Sequence, residues 1–277
     1  MRVVWVLVAC GCDAVFGLRA TAPAVPPPDA LATTCPPIGT APQFSPFFYQ
    51  VTAQNCAEYS PSADTDMAVA SCFDNATAVI EAGPIDQPLA GLTLVAVSDC
   101  TSLHHARLAP EGDHLFVAET SYDCEGTNEI GDYALTGGAW TYAGVLAIPQ
   151  GVDYYIGDFT RAPGRHAMLS TEDGTIHELA EQPDSSWLDV GTYTGADFGL
   201  PELIYTPPNL SADGLRALVY DGTTSTTYYI DRPDLASRFS AVQPLVGVPG
   251  VADAHLSDDC THVYFSGVEH VFFVRAQ

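Results

Sequence analysis

The sequence predicts an all-β protein built from five similar units, and three observations support this prediction. The first is that a polar turn followed by a short apolar strand occurs five times, with reference positions Pro61, Pro110, Pro163, Ala212 and Asp258. The second is that the intervals between these positions are 49, 53, 49 and 46 residues, and such periods are typical of repeat architectures. Each unit has room for four short strands, so the pattern predicts a β-propeller of four-stranded antiparallel blades.

The third observation is that the strand after each turn is apolar without alternation, as in residues 115–118. A strand with one buried face alternates between apolar and polar residues, whereas an unbroken apolar run is covered on both faces. The middle strands of a propeller blade lie between two neighbouring blades, which provide this cover. We expect five blades, with six as the alternative. A two-sheet sandwich also has many short strands, but it does not require a fixed period.

The two ends of the chain are predicted to complete one blade together. The fifth repeat supplies three strands, at residues 252–256, 261–266 and 270–275, before the chain ends. Residues 46–52 (PFFYQVT) form an apolar stretch outside the repeats. We expect this stretch to add the missing outer strand and close the ring, because an open sheet edge favours aggregation.

The repeat also resembles a known family. Residues 210–214 (LSADG), followed by an apolar strand, are similar to the TolB-type propeller repeat, and residues 108–112 and 256–259 resemble it more loosely. The resemblance covers roughly residues 45–277. TolB-type propellers act as periplasmic docking platforms, so the resemblance implies a binding protein of the cell envelope. The same repeat serves proteins of many functions.

Residues 1–12 (MRVVWVLVACGC) are predicted to be a bacterial lipoprotein signal. Arg2 precedes an apolar run at residues 3–8, as in a signal peptide, and Cys10 ends a lipobox-like LVAC. Cys10 is the predicted lipidation site and Cys12 is the alternative. The apolar run is far shorter than the roughly 20 residues that span a bilayer, so membrane attachment is expected through the lipid alone.

The remaining domain boundaries follow from composition and charge. Residues 13–43 are rich in Pro and Ala and are predicted to form an extended tether, and residues 44–277 are predicted to form the propeller. The formal net charge is -25, and all nine basic residues are Arg. Such a surface repels phosphate backbones, so nucleic acid is excluded as a partner. We expect an envelope protein at the outer membrane or periplasmic face, or a secreted one.

An exported protein forms disulfides by default, and the cysteine positions predict three. Cys56 and Cys72 bracket the first two strands of repeat one, and Cys100 and Cys124 occupy equivalent positions in repeat two. Both pairs are placed to join a hairpin, since the start of one antiparallel strand lies beside the end of the next. A bond from Cys35 to Cys260 would clasp the ring. Metal binding is the rival interpretation, but no CxxC or HxxxH spacing supports it.

The first strand of each blade is expected to line the central channel, where propellers bind ligands. The aligned positions just before the turn are Glu58, Arg107, Thr160, Asn209 and His255, and two residues earlier are Cys56, His105, Asp158, Pro207 and Asp253. The residue between them is small or apolar in every repeat. The predicted binding residues are Glu58, His105, Arg107, Asp158, Asn209, Asp253 and His255. The alternative is a channel wall whose polar groups only meet water.

These features predict a platform for a protein or glycan partner, without catalytic residues, metal or cofactor. A second hypothesis is a glycoside hydrolase or lyase, which needs two carboxylates roughly 5–10 Å apart. Glu58, Asp158 and Asp253 are the candidates on the inner strands. A structural envelope component is the third possibility.

Overall fold

The computed structural model describes residues 35–51, 56–74, 77–85, 87, 89–91, 103–119, 129–146, 154–171, 173–200, 206–240, 242–267 and 270–277. Within these ranges the strands form five four-stranded sheets. Every strand pair in them is antiparallel. Four sheets each correspond to one repeat of the sequence, and the fifth combines the last repeat with a strand that precedes the repeats.

The strands are numbered in chain order and grouped by blade. Before the repeats lies β1 (Tyr49–Gln50). Blade one contains β2 (Cys56–Pro61), β3 (Ala68–Asp74), β4 (Thr77–Gly83) and β5 (Ala90–Gly91). Blade two contains β6 (Leu103–Leu108), β7 (His114–Glu119), β8 (Glu129–Thr136) and β9 (Ala139–Leu146). Blade three contains β10 (Tyr154–Phe159), β11 (His166–Thr171), β12 (Ile176–Glu181) and β13 (Trp187–Tyr193), and a 3-10 helix (Gly195–Phe198) follows it.

Blade four contains β14 (Asn209–Leu210), β15 (Arg216–Asp221), β16 (Thr226–Asp231) and β17 (Gln243–Pro244). Blade five contains β18 (His255–Leu256), β19 (His262–Ser266), β20 (Val271–Arg275) and, from the other end of the chain, β1. The inner strands contact one another in the order β2, β6, β10, β14 and β18, and β2 also contacts β19. The described sheets therefore form a closed five-bladed propeller, which confirms the predicted fold against the sandwich and the six-bladed ring.

The unbroken apolar strands serve two interfaces at once. In β7, Leu115 and Val117 pack in a buried cluster with blade one, while Phe116 packs in a different cluster with blade three. In β11, Leu169 faces blade two and Met168 faces blade four. Successive side chains of a strand point to opposite faces, so both faces of these strands are covered and neither can be polar.

Strand β1 closes the ring as predicted. It pairs with β20, with Tyr49 opposite Phe273 and Gln50 opposite Phe272. Just before it, Phe44 is 1% exposed and belongs to the apolar cluster between blades four and five. Blade five is thus assembled from both ends of the described chain, and its outer edge is occupied.

Two of the three predicted disulfides are present. Cys56 and Cys72 lie directly opposite each other on β2 and β3 and are bonded. Cys35 and Cys260 are bonded across 225 residues of sequence. The predicted Cys100–Cys124 bond lies outside the described residues.

The segment 35–43, the end of the predicted tether, contacts blade four. The Gly39 amide donates to an Asp231 carboxylate oxygen at 2.6 Å, and the Ala41 amide donates to Gln243 at 3.3 Å. The lipidation candidates Cys10 and Cys12 lie outside the described residues, and the domain boundaries stay predictions. The described part of the chain contains no helix with the length and apolarity to cross a membrane.

Candidate functional site

The structure fixes which inner-strand positions are equivalent. The first backbone hydrogen bond of the turn is donated by the same amide in each blade, those of Ser62, Ala109, Thr160, Ser211 and Ser257. Counting back two residues gives the equivalent channel positions Ser60, Arg107, Asp158, Asn209 and His255.

This register corrects the sequence alignment in blades one and three. Pro61 ends β2, whereas Pro110 lies beyond the end of β6, so the two prolines are not equivalent. The sequence pattern aligns Glu58 and Thr160 with Arg107, but in the structure Ser60 and Asp158 occupy the level of Arg107. Ser60 was missed for this reason.

Asp158 is the centre of a polar cluster in the channel. Its Oδ2 lies 2.5 Å from His255 Nδ1, and the Ser60 hydroxyl donates to its Oδ1 at 3.3 Å. The Nε of Arg107 lies 3.7 Å from the same Oδ1. Three other blades therefore contribute a side chain to one carboxylate of blade three.

Glu58 and His105 form a second pair beside the first. His105 Nδ1 contacts Glu58 Oε1, and Arg107 Nη1 donates to the Glu58 carbonyl oxygen at 3.3 Å. Both residues have positive φ, 58° for Glu58 and 52° for His105, which is uncommon for residues other than glycine. Both lie where the pairing of the inner strand shifts register, and such bulges redirect side chains.

The neighbouring basic side chains lower the pKa of both carboxyl groups. Burial raises the pKa of Asp158, but the charge and hydrogen bond of His255, together with Arg107, outweigh it and hold that pKa below its usual range. Burial also raises the pKa of Glu58, and His105 and Arg107 reverse the effect in the same way. The two carboxylates are therefore partnered inside the protein.

Asp253 behaves differently. Burial, followed by the negative charge of Glu58, raises its pKa to about 6, although Arg107 and His105 oppose the shift. Asp253 is half-buried and lies two residues before His255 in the segment that leads into β18. The channel thus holds one carboxyl group that protonates near neutral pH beside two that do not.

Replacing Asp253 with Asn should stabilise the protein at pH 7. A pKa raised by folding means that the native state binds more protons than the unfolded state between about pH 4 and 6, so this group's contribution to stability falls as pH rises through that window. Relative to the parent, Asp253→Asn should gain about 1–2 kcal/mol at pH 7 after allowance for partial exposure, and no gain below pH 4. Urea denaturation at both pH values measures this, and an equal effect at both would contradict the assignment.

Asn209 completes the predicted set at the border between blades four and five. Its Nδ2 donates to the Ala254 carbonyl oxygen at 2.7 Å, while its buried Oδ1 has no hydrogen-bond partner in the described part of the chain. The structure therefore brings Glu58, His105, Arg107, Asp158, Asp253 and His255 together and places Asn209 beside them. Their role as binding residues stays a prediction.

A cavity of about 610 Å³ opens at the face of the propeller that carries the turns. Residues of all five blades line it, among them Ala63, Pro110, Phe159, Asp213 and Asp258. Asp158 and His255 also line it, so the cavity reaches the channel cluster. This volume lies within the range of about 300–1,000 Å³ typical of small-molecule pockets. We call it the turn-face cavity.

One group of described residues has metal-ligand atoms close together, namely Cys56, Cys72 and Glu81. Because the two sulfur atoms are joined in a disulfide, they are not free thiolates that could bind a metal. This group is therefore assigned to the core of blade one.

The fold and the channel define the class of protein as a five-bladed β-propeller. Its architecture is similar to that of a putative TolB from Agrobacterium tumefaciens, with a TM-score of 0.51, 13% identity, and coverage of 86% of this chain and 89% of that one. For the TolB of Acinetobacter baumannii the TM-score is 0.49 and the identity 12%, with 81% of this chain and 55% of that one covered. For a periplasmic gluconolactonase of Pseudomonas aeruginosa the TM-score is 0.43 and the identity 15%, with 79% of this chain and 65% of that one covered.

The chain spans less than two thirds of the length of the last two proteins, and 62–64% of the length of other matching structures. No protein-family model matches the chain, and no curated protein sequence is detectably similar. At identities this low, the likeness shows the fold alone.

Proposed function

We propose that this chain is an extracytoplasmic, non-catalytic binding platform for a protein or glycan of the cell envelope, held at the membrane by a lipid on Cys10 or Cys12. The observation that supports this best is the turn-face cavity of about 610 Å³, to which every blade contributes. Ligand sites are typically concave and largely preformed, and this cavity is both. The two disulfides fit the proposed location, because disulfides persist in oxidising compartments.

The electrostatics of the channel favour binding over catalysis. Of the three candidate carboxyl groups, only that of Asp158 belongs to a residue lining the turn-face cavity. It is already bound by His255 and Ser60. Hydrolysis of a glycosidic bond needs two carboxyl groups flanking one substrate, and of the three inner-strand candidates this cavity offers one. Because its partners hold the Asp158 carboxylate in place and offset its charge, this group is suited to recognition of a partner.

One observation favours the glycoside hydrolase or lyase as a second candidate. Asp253 has a pKa raised to about 6, whereas the pKa of Glu58 is lowered. Such a division between a protonated acid and an ionised carboxylate is the one glycosidases use. If the enzyme hypothesis holds, Asp253→Asn and Glu58→Gln should each reduce sugar release from envelope glycans at least a hundredfold. Absence of sugar release by the parent protein would reject it.

Filling the turn-face cavity should abolish partner capture. Ala63 is exposed and lines the cavity, so Ala63→Trp blocks the opening without disturbing the core. We expect this variant to retain less than about a tenth of the partner that the parent captures from envelope extract, because the partner would have to displace the new indole ring before it could enter the cavity. The readout is quantitative mass spectrometry of the captured material.

The matched control is Ala139→Trp, because Ala139 is exposed on β9, the outer strand of blade two. This variant should capture the partner as the parent does. Equal loss in both variants, or no loss in Ala63→Trp, would show that the partner does not bind at the turn-face cavity. A structural envelope component would show no cavity-dependent partner at all.

A further inference from the structure

Arg161 links three blades at the edge of the turn-face cavity. Its Nη2 lies 2.7 Å from Asp64 Oδ1 and 2.6 Å from Asp258 Oδ2, and its Nε donates to Asp64 Oδ2 at 3.0 Å. Asp64 belongs to the turn of blade one and Asp258 to the turn of blade five. Fork-shaped contact with one carboxylate and an end contact with a second is the geometry that suits a guanidinium group and not a point cation.

The position of these contacts in the ring shows that Arg161 reaches across it. Blades one and five are neighbours, since β19 contacts β2, and blade three lies opposite their junction in a five-membered ring. Arg161 follows β10 of blade three, and its amide donates to the Ala212 carbonyl oxygen of blade four. The guanidinium group therefore bridges the mouth of the channel from one side to the other. We call the Asp64–Asp258 pair the guanidinium seat.

The contact is partly open to solvent. The side chains of Arg161 and Asp64 are 35% and 42% exposed, and that of Asp258 is 26% exposed. Solvent weakens ion pairs between partly exposed groups, so water and an incoming donor can compete for these carboxylates. Asp258 also retains an unused acceptor, because its buried Oδ1 has no hydrogen-bond partner in the described part of the chain. The seat can therefore exchange Arg161 for another guanidinium group that makes the same contacts.

The cavity that Asp258 lines has the charge that a cationic segment requires. Its described lining includes Asp213, Asp258 and Asp259 against one arginine, Arg216, which is paired with Asp213 at 2.7 Å. Asp158 also lines the cavity, but His255 and Arg107 are its partners. A cationic partner would therefore meet complementary charge from the mouth inward, which speeds encounter and fixes orientation.

We propose that Arg161 is a removable internal occupant of the guanidinium seat, and that the partner is a protein whose arginine-bearing segment displaces it and enters the turn-face cavity. This inference rests on the proposed binding function and specifies the chemistry of the partner. Arg161 then acts as an autoinhibitory latch, because the seat is available only in the fraction of molecules where the latch is open, and apparent affinity is reduced by that fraction.

The test measures binding of a labelled Gly/Ser peptide containing arginine, by fluorescence anisotropy, against the same peptide with citrulline in place of arginine. Arg161→Gln should bind the arginine peptide about tenfold more tightly than the parent, with no gain for the citrulline peptide. Adding Asp258→Asn to this variant should remove the gain. Circular dichroism and thermal melting confirm that each variant is folded.

Arg238→Gln is the matched control, because Arg238 forms a comparable exposed pair with Asp197 at 3.0 Å and also donates to the Thr192 carbonyl of outer strand β13. Removing this charge should leave peptide affinity unchanged. The inference is overturned if Arg161→Gln binds no more tightly than the parent, if Arg238→Gln gains equally, or if the gain survives Asp258→Asn.

The outcome can be separated from that of the proposed function. Envelope capture that depends on Ala63, combined with no arginine-specific gain, leaves the binding platform standing and rejects the latch. Identification of the captured partner as a glycan also rejects it. If neither the Ala63-dependent capture nor the arginine-specific gain in affinity is observed, both proposals are rejected.

Discussion

Replacing Phe44 with alanine should destabilise the propeller by about 3–5 kcal/mol, the usual cost of removing a buried phenylalanine ring. Phe44 is 1% exposed and packs with Leu245 and Val274, between blades four and five. The Phe44 amide also donates to the Val246 carbonyl oxygen at 3.0 Å. The phenyl ring thus fills the point where the two ends of the described chain meet. Thermal or urea denaturation measures the loss of stability.

Deleting residues 44–52 should have a still larger effect, because it removes β1 together with Phe44 and exposes the edge of β20. An open edge strand invites pairing between molecules, so aggregation on heating is expected as well as a melting temperature lower by at least about 10 °C. Phe47→Ala is the control, since Phe47 is 72% exposed and exposed substitutions usually change stability by less than about 0.5 kcal/mol. A deletion variant that melts like the parent would refute closure by β1.

Removing the Cys35–Cys260 bond by double replacement with serine should cost about 5 kcal/mol in the chain-entropy treatment of cross-links. The two cysteines are 225 residues apart in the sequence, so breaking the bond greatly increases the conformational freedom of the unfolded chain. It also frees the segment that places Gly39 against Asp231. Equilibrium urea denaturation of the parent and variant gives the difference in the free energy of unfolding.

The Cys56–Cys72 bond provides the internal comparison, because it spans only 16 residues. The same treatment assigns it about 3 kcal/mol, so Cys56→Ser with Cys72→Ser should destabilise the protein less than Cys35→Ser with Cys260→Ser. The order of the two effects is the test. A reversed order would show that strand packing around the hairpin, and not loop length, controls the contribution of these bonds.

Sequence alone was sufficient for the architecture because the signals involved are local and repeated. The number of regularly spaced turns predicted the number of blades. Apolar runs such as residues 115–118 predicted that both faces of a strand are covered. Counting strands assigned residues 46–52 to the last blade. Cys56 and Cys72 were paired because they bracket the first two strands of repeat one. These inferences need only the periodicity of side chains along a strand.

The level of each side chain in the channel required the tertiary structure. Bulges at Glu58 and His105 give positive φ to residues whose identity does not demand it, so no sequence pattern marks them. Pro61 and Pro110 looked equivalent but lie at different points of the turn, which hid Ser60.

The guanidinium seat is the clearest case of a feature that only the fold decides. Arg161 lies 97 residues from Asp64 and 97 from Asp258. The three meet because ring closure places blades one and five side by side, opposite blade three. The repeats determined the ring through local burial, whereas the contacts across its centre depend on turn lengths and bulges that the repeat pattern does not constrain.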